Sequence, residues 1–116
     1  MASARKTTLR TKYKVRGDAG VHLTVIFGNG QKGSSSILGP PSRIGELTRW
    51  PLGTGAELRG TTIDVRSTVS DVNAKTNHVS ATYIIEGGDE PLELHLESTV
   101  AREGATERFH VVVEFT

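Results

Sequence analysis

With 116 residues, 35% of them hydrophobic, the chain can close one modest core, so a single domain over 1–116 is expected. It has no cysteine, which excludes disulfides and thiolate metal sites, and no run near the roughly 20 apolar residues of a membrane span. The net charge of +1 argues against a protein that wraps nucleic acid, yet it conceals two poles: Arg5, Lys6, Arg10, Lys12, Lys14 and Arg16 lie in the first sixteen residues without an acid, whereas Glu86 to Glu107 carries seven acids against Arg102 alone.

The opening "MASARKTTLRTKYKVR" offers no apolar stretch for a signal-peptide core. A soluble, cytoplasmic protein is therefore expected, unless a leader has been removed, with residues 1–8 as a flexible basic segment. From Leu9 the side chains alternate. Leu9, Thr11, Tyr13 and Val15 form one face, and Arg10, Lys12, Lys14 and Arg16 the other, which predicts a strand with a buried and a cationic side. After a turn over Arg16 to Gly20, Val21, Leu23, Val25 and Phe27 predict a second strand facing the core. "GNGQKGSSS" follows, its Asn29-Gly30 pair a turn signal because both residues accept positive φ, and a short strand is expected around Ser35 to Leu38.

Between Gly39 and Gly60 the pattern breaks, with three of the four prolines and only short apolar pieces. This stretch reads as irregular, with room for a helical turn around Ser42 to Leu47 before Trp50-Pro51. Periodicity then returns. Ile63, Val65, Ser67 and Val69, then Val79, Ala81, Tyr83 and Ile85, then Leu92, Leu94, Leu96 and Val100, then Phe109, Val111, Val113 and Phe115 each predict one inward strand face. The segments between them, "DVNAKTN", "GGDEP" and "AREGATE", are rich in turn formers. The expected fold is all-β: a two-layer antiparallel β-sandwich, or a flattened barrel, whose last four strands form a C-terminal meander covered by the N-terminal strands.

That meander sets the candidate chemistry. Its polar face would put Thr82 beside His95 and Ser80 beside Glu97, with Arg66 flanking Thr82 on the other side. A two-residue turn at Glu103-Gly104 would set Glu97 opposite His110. A four-residue turn would set His95 opposite His110 and Glu97 opposite Arg108. Either way His95, Glu97 and His110 come near one another as candidate metal ligands, imidazole and carboxylate on alternate positions of one strand converging on an ion with a further ligand from the neighbouring strand. The competing reading is a solvated face on which Glu and His simply meet water, as an antiparallel sheet requires.

Other chemistry has less support. No serine sits in a GxSxG elbow, and Lys32 precedes its glycine, so "GNGQKGSS" is not a phosphate-binding P-loop. No enzyme and no cofactor is implied. The cationic first strand lacks interleaved aromatics, Tyr13 facing inward, so nucleic acid is not expected; lysines on an edge strand also keep sheets from sticking together. Trp50 is the one candidate platform for a carbohydrate, and with Asn29, Gln31 and Lys32 of the glycine loop it makes the candidate ligand-binding set. The tripeptide Arg16-Gly17-Asp18 matches an integrin-binding sequence but is too short to carry weight. The expected function is protein binding or self-assembly into a homo-oligomer, the two charge poles being complementary between copies.

Overall fold

The structure, a computed structural model, describes residues 6–28, 32–38, 47–70, 78–99 and 106–116. Its strands are β1 (Lys6–Tyr13), β2 (Gly20–Phe27), β3 (Lys32–Leu38), β4 (Leu47–Thr54), β5 (Thr62–Ser70), β6 (His78–Glu86), β7 (Leu92–Thr99) and β8 (Thr106–Phe115), with one helical turn, α1 (Gly55–Leu58), between β4 and β5. They form two four-stranded sheets: sheet I in the order β1-β8-β5-β3 and sheet II in the order β4-β2-β6-β7. Each strand follows the two-residue period of its sequence. On β5, Ile63, Val65, Ser67 and Val69 are buried, and on β8 Phe109, Val111, Val113 and Phe115 are, while their neighbours of opposite phase mostly face water. Val21, Leu23, Val25, Tyr83 and Ile85 of sheet II meet these side chains in one core.

The all-β sandwich is as expected, but its connectivity is not. β5 and β8 pair with each other in sheet I, and β6 and β7 pair in sheet II, so the four C-terminal strands do not form a meander. Among the described strands, β6–β7 is the one pair of consecutive strands in the same sheet; every other connection passes from one sheet to the other. The physical reason is that a two-residue period fixes which side chains point inward and is silent about which strand lies alongside. The sandwich is also not wholly antiparallel, since β1 runs parallel to β8, Leu9 opposite Val111 and Tyr13 opposite Phe115. Nor is it a closed barrel, since the described strands form two separate four-stranded sheets.

The N-terminal segment expected to be flexible is paired from Lys6 onward, with Lys6 to Thr8 opposite Arg108 to His110; residues 1–5 lie outside the described residues. The stretch expected to be irregular contains β4. Pro51 is tolerated there because β4 is an edge strand, where a missing N–H interrupts no ladder on the open side. Arg49, at φ 45°, marks an irregularity in its pairing with β2. Thr54 then caps α1: its hydroxyl accepts from Glu57 N, and the Glu57 carboxylate accepts from Thr54 N. The helical turn expected around Ser42 to Leu47 falls largely outside the described residues, and Leu47 itself begins β4.

A polar seam crosses the core. Tyr83 Oη of β6 donates to Ser67 Oγ of β5 at 2.7 Å, and Ser67 Oγ lies 2.8 Å from Ser35 Oγ of β3, which joins the two sheets at their centre. Burial pushes the Tyr83 phenol up to about 12, against the smaller opposing effect of the Ser67 hydrogen bond. Near one end, Glu107 is buried on the inward face of β8, accepting from Ser98 Oγ of β7 and from the Arg108 backbone N–H at 3.0 Å.

Candidate functional site

The candidate surfaces are the two outer faces, because the inward faces are filled by the core. On sheet II the hairpin β6–β7 sets Thr82 opposite His95 and Ser80 opposite Glu97, the two neighbours expected from the sequence. Thr82 Oγ1 and His95 Nδ1 are 2.9 Å apart, and His95 Nε2 is 3.5 Å from Glu97 Oε1. Ile26 of β2 completes the row Ile26–Thr82–His95, and the next row reads Thr24–Ile84–Glu93. Ile26 is the large hydrophobic residue left exposed among the described residues, at 47%. At the β4 side of this face, Arg49 donates from its backbone N to Thr24 Oγ1 at 3.0 Å and from Nη1 to Glu86 Oε1 at 3.2 Å.

His110 is on the other side of the molecule. It belongs to β8, where it is flanked in register by Arg66 of β5 and Thr8 of β1, so it is opposite His95 or Glu97 in neither of the two expected registers. Arg66 accordingly flanks His110 and not Thr82. His110 Nε2 meets Asp64 Oδ1, to which Arg66 Nε also donates at 3.4 Å. The expected metal trio is thus split: His95 and Glu97 stay together, and His110 joins an Asp64–Arg66 cluster on the opposite face. Among the described residues, no three His, Asp or Glu side chains are grouped to hold an ion.

Four of the described cationic side chains stand together on sheet I. Arg10 and Lys12 of β1, Arg66 of β5 and Arg108 of β8 are exposed on its outer face, against the carboxylates Asp64 and Glu114. Among the described residues, no carboxylate forms an ion pair with Arg10, Lys12 or Arg108. Thr8, Arg66, Thr68, Arg108 and His110 line a recess of about 450 Å³ on this face. Lys14 and Arg16 behave differently: both reach Asp89, at 3.8 and 3.0 Å, so that part of the basic pole is neutralised by the acidic segment of the same chain.

Of the expected ligand-binding set, Asn29 and Gln31 lie outside the described residues, and Lys32 opens β3 opposite Ser70. Trp50 is half-buried on β4, opposite Leu23, and packs against the core. The Arg16-Gly17-Asp18 tripeptide lies against α1, the Gly17 carbonyl accepting from Ala56 N at 2.6 Å and Arg16 Nε donating to Asp89. The inward Glu107 and the Asp64–His110 pair were missed by sequence reasoning. Extending the Phe109–Phe115 alternation back by one step would have placed Glu107 inward; the Asp64–His110 pair depends on the pairing of β5 with β8, which has no local signal. No described helix is long and apolar enough to cross a membrane. Comparison of the chain with protein-family models, with curated proteins and with solved structures finds no match.

Proposed function

We propose that this chain is a non-enzymatic β-sandwich module that acts by protein binding or self-assembly through its outer sheet faces. The supporting observation is the row of cations on sheet I, Arg10, Lys12 and Arg108, which find no carboxylate partner among the described residues. A cationic face of this kind is complementary to an acidic protein surface, and such complementarity sets partner choice and encounter rate. The chain carries an acidic surface of its own in Glu93 and Glu97, so a second copy is the first partner to test.

Exposed ion pairs are screened once charges are separated by more than about 8–10 Å at 0.1–0.15 M salt. The expected result in sedimentation velocity is therefore a mass above the 12.5 kDa monomer at low ionic strength that falls on adding salt. A monomer at every salt concentration would remove the self-assembly reading.

A further inference from the structure

Which surfaces of two copies would meet follows from where the charges stand on the sandwich. β1, an edge strand of sheet I, lies against β7, an edge strand of sheet II, so both occupy the same side of the molecule. Arg10 and Lys12 of β1 point away from the core on one surface, and Glu93, His95 and Glu97 of β7 point away from it on the opposite one. Stacking a second copy along the sheet normal therefore carries the acidic strand of one molecule onto the cationic strands of the next, with little sideways displacement.

The spacing of the charges matches as well as their sign. Glu93 and Glu97 are four residues apart on one strand face, about 13 Å at the rise of a strand. Arg10 is in register with Val112, four residues beyond Arg108 on the adjacent strand, so Arg10 and Arg108 stand about 14 Å apart once one strand spacing is added sideways. Arg66 reinforces the Arg108 end, because Arg108 is opposite Thr68 on β5, two residues from Arg66. Beside this acidic strand, Ile26 and Ile84 give the sheet II face an apolar centre within its polar surround, the arrangement typical of protein interfaces.

We propose that β7 of one copy seats on the β1–β8 face of the next, with Glu93 and Glu97 meeting Arg10 and Arg108. This inference rests on the self-assembly reading above and specifies its contact. Because the two surfaces differ, the contact is head-to-tail, and repeated copies close into a ring or extend as a filament.

The test is a charge exchange. One variant carries Arg10→Glu and Arg108→Glu; the other carries Glu93→Arg and Glu97→Arg. All four positions are exposed, so both variants should fold, which thermal unfolding checks. In sedimentation velocity at low ionic strength, each variant alone should associate about tenfold or more weakly than the wild type, and the equimolar mixture should recover the wild-type mass. If either variant alone associates like the wild type, or the mixture stays monomeric while the wild type does not, the contact is wrong and self-assembly uses another surface. A wild type that remains monomeric overturns both readings. Should a charge-reversed variant fail to fold, Arg10→Gln with Arg108→Gln, and Glu93→Gln with Glu97→Gln, must each weaken association and flatten its salt dependence, or the contact is refuted.

Discussion

Gly55 shows how tightly one residue can be determined by a distant segment. A Cβ added there would lie 1.6 Å from the Arg16 carbonyl oxygen, because the turn after β1 is laid directly on α1, with Gly55 N donating to Ala19 O at 3.0 Å. Gly17, in the same turn, has nothing within 4 Å of the equivalent position. Gly55→Ala is expected to destabilise by about 2–4 kcal/mol through forced displacement of backbone, and Gly17→Ala to change stability by no more than about 0.5 kcal/mol. Urea unfolding of both variants checks this, and equal effects would mean that the turn does not rest on α1. The same packing explains why the Arg16-Gly17-Asp18 tripeptide is not presented as a free tip: its middle carbonyl and its arginine are both engaged.

At the scale of elements, the Tyr83–Ser67–Ser35 chain is the polar contact that ties β6 of one sheet to β5 and β3 of the other. Its titration gives a prediction with a definite sign. The folded-state pKa of Tyr83 is raised from 10.0 to about 12, so the native state holds a proton that the unfolded chain releases between those values. The associated stability is present in full below pH 10 and lost as pH rises towards 12, a loss on the order of 2 kcal/mol. Tyr83→Phe should remove this part of the alkaline decline in urea unfolding stability; an unchanged decline would show that Tyr83 is not buried between the sheets.

Elements also show how far the sequence was legible. The strand faces were legible, because alternation at Ile63 to Val69 and at Phe109 to Phe115 needs no knowledge of partners. The neighbours Thr82–His95 and Ser80–Glu97 were legible for a related reason: β6 and β7 are joined by a short local turn that fixes register. β4 was missed because Pro51 and its flanking glycines read as irregular, although Thr54 and Glu57 spell a capping box that marks where α1 begins.

At the scale of the whole molecule, what alternation left open was the partner of each strand. Residues 100–105 are long enough either to fold back as a hairpin or to cross the roughly 10 Å between sheets, since each extended residue spans about 3.3 Å. The strands they join lie in different sheets, and that choice moved His110 from the side of His95 to the far face of the molecule. It also separated the charge: the cations of β1, β5 and β8 share one surface, and Glu93 and Glu97 of β7 occupy the other. A binding or assembly function built on two faces depends on this separation, and a metal site built on His95, Glu97 and His110 is incompatible with it.

The most direct measurement is a distance between positions 95 and 110. The chain has no cysteine, so His95→Cys with His110→Cys places two spin labels and no others. With the sheets about 10 Å apart and both side chains pointing outward, pulsed electron resonance should give a distance beyond about 20 Å, and mild oxidation should form no intramolecular disulfide. A distance below about 10 Å, or ready disulfide formation within one chain, would mean that the two strands are neighbours in one sheet and would contradict the separation of charge on which the proposed function rests.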